Sequence, residues 1–361
     1  MQADEHPGAG RAGGLTRRDF FRQTAGALSA SFALSGGACA RQGPIAEHTP
    51  VAQAPPRPPA EAKATKVVLI RDAAATDDRG GADEDVVGAM LDEAMLALTG
   101  QEELIEAWRQ FLREDDFLGI KANVMMTPTH FPVVRRIVES AREVGVAEDR
   151  VLAWDRGQGG SSLAQIQNLL ERPRWEVPEE EKPFQVPFDD RDISTAVTQK
   201  ATVLVNVPGL KAHWLSGMGC AIKNWAGAVT NINVADRNTK FAFHSDSCAQ
   251  TGMLNAIPEI RQKEKLIVVD ALRPLFHGGP QVDPKYLWNY RGLLVGTDPV
   301  AVDAVCLQIL QAKRNQHKGK PWPVQPPAKH VLVAESEYGL GTADLDKVEV
   351  VKLGWEQGRL L

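Results

Sequence analysis

Short apolar runs take turns with helix-period patterns along most of this chain, and that alternation restricts the fold more than any other feature. Apolar runs at 66–70, 118–124 and 150–155 read as strands. The stretches 85–98, 132–144 and 161–170 repeat their apolar residues at helical spacing. Beyond a charged, proline-rich connector at 171–191, the pattern predicts strands at 202–207, 266–269, 292–295, 330–334 and 348–352, with helices at 216–229, 248–261 and 299–312. A strand followed by a helix must cross over to reach the next strand, and such crossovers set strands side by side in the same direction. The expected fold class is α/β, a largely parallel sheet with helices on both faces, which the connector allows to divide into lobes at 65–190 and 191–361.

The first 40 residues follow a different logic. Thr16-Arg17-Arg18-Asp19-Phe20-Phe21-Arg22 precede a short, weakly apolar stretch at 24–34, and Ala38-Cys39-Ala40 offers small residues at both positions a signal peptidase reads. This arrangement resembles a twin-arginine export signal. The resemblance implies handling by the twin-arginine translocase, cleavage after Ala40 and a periplasmic or extracellular mature chain. Acylation of Cys39, which would anchor a lipoprotein, is the alternative. Residues 41–64, with Pro55-Pro56-Arg57-Pro58-Pro59, have the composition of a disordered tether, leaving 65–361 as the folded domain.

Composition narrows the partners. Lysine plus arginine number 41 against 46 acids, for a net charge of -5, so nucleic acid is not an expected partner. No apolar run after residue 40 reaches the ~18 residues of a membrane helix, so no integral span is expected in the mature chain. Cys220, Cys248 and Cys306 follow Cys39 with no Cys-x-x-Cys spacing, so no iron-sulfur cluster, zinc knuckle or disulfide framework is expected. Buried free thiols are the plain reading.

Ligands of open parallel sheets bind beyond the carboxyl ends of the strands. Lys121 and Asn123, two residues apart near a strand end, project to one face. A lysine inside an apolar strand needs an anion or a carboxylate, unless it snorkels at a sheet edge. The densest polar group lies at 208–227: Lys211, His213, Ser216, Gly217, Gly219, Lys223 and Asn224. Ser216 is expected to cap a helix whose first N–H groups, opened by Gly217 and Gly219, face an anion. Lys211 and Lys223 add positive charge, and His213 is a candidate proton carrier or metal ligand. The bland alternative makes the glycines packing contacts and leaves the lysines solvated. Neither a Walker loop nor a dinucleotide fingerprint is present.

Asp298 before Pro299 reads as a helix cap. Asp303, one turn into an apolar helix, needs a partner such as Lys121, Lys211 or a metal. His244, Asp270 and His277 stand at other strand or loop ends, and His213, His244 and His277 are the metal-ligand candidates.

Five ordered motifs resemble the family catalogued as domain of unknown function 362: Gly119-Ile120-Lys121-Ala122-Asn123, the run 205–213, the run 221–227, His277-Gly278-Gly279-Pro280, and the run 296–303. They span about residues 66–312. The resemblance implies a shared site and adds weight to Lys121, Asn123, Lys211, His213, Lys223, Asn224, Asp298 and Asp303 as a set. Members of that family often carry a proline-lysine pair where Gly209-Leu210 stand here, and many append a ferredoxin-type module that this chain lacks. By remoter analogy the layout resembles nickel-pincer lactate racemases, where lysines and histidines between two lobes hold an anionic cofactor.

The functional expectation is an exported enzyme of redox or proton-transfer type, oxidoreductase- or isomerase-like, with a small anionic ligand in a lysine- and histidine-lined pocket. An anionic organic cofactor or a metal is the cofactor class left open. His213, Lys211 and Asp303 are the expected catalytic residues; Lys121, Asn123, Ser216, Gly217, Gly219, Lys223 and Asn224 are expected to bind the cofactor. A periplasmic module that carries an anionic metabolite or a metal without chemistry is the rival, and an assembly protein showing an exposed apolar patch is a third reading.

Overall fold

The structure is a computed structural model, which describes residues 65–124, 127–155, 193–194, 196–229, 246–279 and 281–361. The export signal, the tether, the expected helix at 161–170, the connector at 171–191, His244 and Pro280 lie outside the described residues.

Nine described strands form one sheet. In chain order they are β1 (Thr65–Arg71), β2 (Leu118–Ala122), β3 (Val151–Trp154), β4 (Val203–Val207), β5 (Gly209–His213), β6 (Gly217–Gly219), β7 (Glu264–Leu275), β8 (Gly292–Gly296) and β9 (Val348–Gly354). Their order across the sheet is β3-β2-β4-β7-β8-β1-β9, with β5 beside β7 and β6 beside β5. β2 runs parallel to β3 and β4, β4 and β5 run parallel to β7, and β1 runs parallel to β9. β8 is antiparallel to both β7 and β1, so the sheet is mixed around a parallel majority. Strands from either side of the connector share this sheet, so the suggested lobes at 65–190 and 191–361 are not separate sheets.

Side chains alternate across the sheet, and both faces are covered. Val68 and Ile70 of β1 join Ile120, Val205, Val268 and Val295 under α1 (Glu84–Thr99), α2 (Leu104–Arg109) and α3 (Phe131–Val144). Val67 and Leu69 face the other way, with Ile267, Val269 and Leu294, against α7 (Pro299–Lys318) and α8 (Lys329–Ser336). The remaining helices are short: α4 (Ala221–Asn224), α5 (Gly252–Ala256) and α6 (Pro258–Arg261). Asp298 caps α7 by accepting from the N–H groups of Val300 at 2.8 Å and Ala301 at 2.9 Å, with Pro299 in the first turn. No helix among the described residues is long and apolar enough to cross a membrane.

Four expectations need correction. The run at 330–334 belongs to helix α8, where His330, Val331 and Ala334 are buried and Leu332 is exposed, a spacing that fits a helix face. Residues 216–229 do not form one helix; Gly217–Gly219 is strand β6, paired antiparallel with β5, and helix starts only at Ala221. Gly217 has φ 77°, and a Cβ there would stand 2.3 Å from the Pro326 carbonyl oxygen, so only glycine fits this approach. Residues 248–261 break into two short helices at Pro258, after a turn that holds Ser247 and Cys248 at positive φ. The strand expected at 266–269 is longer, Glu264–Leu275, because its second half continues alongside β5.

Candidate functional site

β4 and β5 lie end to end along β7, and the break between them is Pro208, whose carbonyl accepts from Asp270 N at 2.8 Å. This geometry carries Lys211 and His213 past the end of β4 and sets Lys211 near Lys121 and against Asn123 in the loop after β2. Lys211 and His213 are two apart on a strand and share a face.

Lys121 is fully buried. Its ammonium donates to Asp155 Oδ1 at 2.6 Å, the Ala122 carbonyl at 2.7 Å and Asn224 Oδ1 at 3.3 Å. A lysine ammonium has three protons, and each has a protein acceptor here. Burial pushes the Lys121 pKa down, and Asp155 opposes that shift. Asn224 ties the pair into a chain: its Nδ2 donates to the Lys121 carbonyl at 2.9 Å and to Asn206 Oδ1 at 2.8 Å. Asn206 Nδ2 donates in turn to Glu264 Oε1 at 2.8 Å, which also accepts from Trp225 Nε1 at 2.9 Å. Desolvation pushes the Glu264 carboxyl up to about 7. Gly227 makes room for this network, since a Cβ there would stand 2.5 Å from Asp155 Oδ1 and 2.8 Å from Lys121 Nζ.

Lys211 has a different environment. Its Nζ donates to Asn123 Oδ1 at 2.7 Å, and Asn123 Nδ2 donates to the Thr127 carbonyl. Burial pushes its pKa down to about 7; Asp155 works against that, while Lys121 and Lys223 stand close enough to deepen it by repulsion. The three expected lysines thus share one electrostatic neighbourhood. Lys223 is itself lowered by burial, with the Cys248 thiol beside it. His213 Nδ1 accepts from the N–H groups of Leu215 at 3.1 Å and Ser216 at 3.3 Å. Backbone N–H groups only donate, so the neutral ring carries its proton on Nε2.

The expected helix-end anion site has another occupant. Ser216 does not cap a helix; its hydroxyl donates to the Met218 carbonyl at 2.8 Å, and Gly217 and Gly219 belong to the β5–β6 ladder. The first N–H groups of α4, from Ala221 and Ile222, point at the Asp303 carboxylate at 2.7 and 3.1 Å. Asp303 therefore meets neither Lys121 nor Lys211, and its own role is to close the α4 N-terminus. Burial pushes its carboxyl up to about 7, against those N–H groups and the Cys220 thiol. Cys220 in turn contacts Cys306, and burial raises both thiols.

His277 is taken up elsewhere. Its Nδ1 accepts from Arg314 Nη1 at 2.8 Å, and its ring packs on Tyr286 and Trp322. Burial and the Arg314 charge lower its pKa. No three His, Cys, Asp or Glu residues among the described residues are grouped to hold a metal ion.

Sequence reasoning missed Asp155, Asn206 and Glu264, which complete the network around Lys121. Asp155 carried a usable signal as an acid directly after a strand at the sheet's carboxyl end. His330 had none: it is fully buried, 3.9 Å from Asp303 Oδ2, and burial with the Lys223 charge pushes it down to about 3.

No curated protein matches the chain. The model of one protein family matches residues 118–308, which include β2, the lysine network, the β5–β6 hairpin and the first half of α7. With more than half of its length under that match, the chain belongs to the family described as "Domain of unknown function (DUF362)".

Proposed function

We propose that the chain is an exported enzyme of proton-transfer or redox type that holds a small anionic ligand or organic cofactor against Lys211 and His213. One arrangement carries the reading: Lys211 is buried at the sheet's carboxyl end with its Nζ on Asn123 Oδ1 and with Lys121 and Lys223 nearby, and burial, opposed by Asp155, brings its amine down to about 7. An amine titrating near neutrality takes up a proton and returns it with similar ease, and its charged form attracts an anion. His213 supports the same chemistry, because its Nδ1 accepts from two backbone N–H groups and its ring proton is therefore on Nε2, a donor of the kind that can face a developing oxyanion. In the proton-transfer form, a carbon acid next to a carboxylate gives its proton to Lys211 Nζ. The electron pair moves onto the substrate oxygen, beside His213 Nε2 and within the field of Lys121 and Lys223. Residues 16–40 support export.

The test uses the full chain purified through its export route, with an absorption spectrum and mass spectrometry of small molecules released on denaturation. A copurifying anion that is lost from Lys211→Met supports the reading. A preparation without bound anion, and without affinity for added carboxylates, contradicts it. A bound anion that incorporates no deuterium from heavy water and is neither oxidised nor reduced assigns the chain to carriage of an anionic metabolite in place of catalysis.

A further inference from the structure

A cleft opens along the segment 127–132 that follows β2. Its volume is about 410 Å³, and Gly80, Gly81, Thr127, His130, Arg273 and Val282 are among the residues that line it. Its floor contains a histidine oriented by a buried carboxylate. Asp270, 4% exposed, sits in β7 and accepts from His130 N at 2.6 Å through Oδ2 and from Leu272 N at 3.0 Å through Oδ1. The same Oδ2 lies 2.8 Å from His130 Nδ1. With Nδ1 held by the carboxylate, the ring is fixed in one orientation, with Nε2 on the side away from Asp270. Burial works against charge on the ring, and Asp270 together with the Gly80 carbonyl outweighs it, so the His130 pKa stands above its ordinary value.

Arg273 supplies the second cation. Its side chain lies across Gly80, where a Cβ would stand 2.3 Å from Arg273 Cδ, and its Nη1 donates to the Arg79 carbonyl. Its Nε is buried with no hydrogen-bond partner among the described residues. Glu84 also lines the cleft, but its carboxylate pairs with Arg135. Val282 and Leu287 give the remaining wall an apolar character.

We infer that this cleft is a second ligand site, which takes a small molecule bearing a carboxylate or phosphate group clasped between Arg273 and His130, with its apolar part against Val282 and Leu287. Arg273 and His130 both line the cleft, and charge-assisted hydrogen bonds from cations to an oxyanion are the strong ones. Thr127 joins the cleft to the surroundings of Lys211 through its bond from Asn123, but neither Lys211 nor His213 lines the cleft, and the inference does not rest on the function proposed there.

Inorganic phosphate and propionate are the probes, added to the full chain labelled with ¹⁵N in its histidine rings. Both are expected to move the His130 Nε2 resonance saturably, and Arg273→Met is expected to weaken that response roughly tenfold. Propionate binding as tightly as phosphate identifies a carboxylate ligand; phosphate alone identifies a phosphate ligand. Lys211→Met is expected to leave the response intact. His130 signals that ignore both anions overturn the inference. So does a response that survives Arg273→Met unchanged, or one that disappears in Lys211→Met and so belongs to the Lys211 site.

Discussion

Lys121 and Lys211 are both lysines buried at the carboxyl end of the same sheet, and they differ in what surrounds their ammonium groups. Lys121 has an acceptor for each of its three protons, one of them the Asp155 carboxylate. Lys211 donates to the neutral Asn123 amide oxygen, and the attraction of Asp155 is set there against the repulsion of two other lysines. The first arrangement spends the charge on the fold, and the second keeps an amine near the midpoint of its titration. Burial of a cation is thus no sign of function by itself; the balance of opposite and like charges around it decides which role it has.

Removing charges one at a time separates the two cases. Lys121→Met strands the Asp155 carboxylate and breaks the Asn224 chain, so urea unfolding should show a loss of about 3–5 kcal/mol. A loss under about 1 kcal/mol would place Lys121 with Lys211 and dissolve the contrast. Asp303→Ala leaves the N–H groups of Ala221 and Ile222 buried without an acceptor, for an expected cost of roughly 2–4 kcal/mol. Asp303 has a further signature in pH. Its folded pKa of about 7 lies above the ordinary 3.8, so it gives up stability as pH rises from about 4 to about 7. Asp303→Asn should flatten that part of the stability profile, and an unchanged slope would contradict its buried position.

Lys211→Met should shift stability far less than Lys121→Met. Its pKa is depressed from 10.5 to about 7, so the native group contributes a rise in stability with pH across that interval, which the variant loses. The same variant should lose most of its affinity for carboxylates by calorimetry. The smallest effect is one of pH alone: the ammonium form attracts the anion, so wild-type affinity should fall toward tenfold per pH unit above about 7. A flat profile from pH 6 to 9 would assign the anion to another cation.

The layered scaffold was legible because β1, β2, β3, β4 and β8 are apolar runs bounded by polar residues, and α1, α3 and α7 carry their own caps. β5 was not legible. Pro208-Gly209 reads as a strand end, and Gly209–His213 is held extended only by β7 and β6, which are distant or polar in sequence. The apolar run at 331–334 fits either helix or strand, and packing against α7 decides for helix. The lysines were recognisable from residue type and position. Their partners were not: Asp155 lies 34 residues from Lys121, and Asp303 is satisfied by backbone N–H groups that no side-chain pattern announces.

A titration of Lys211 itself, followed through its ¹³Cε resonance in the full chain with and without added phosphate or propionate, reads the decisive property without passing through activity. A midpoint near 7 that climbs when an anion is present is the expected result. A midpoint at the ordinary lysine value, indifferent to both anions, would mean that this amine is solvated and that no anion is held there.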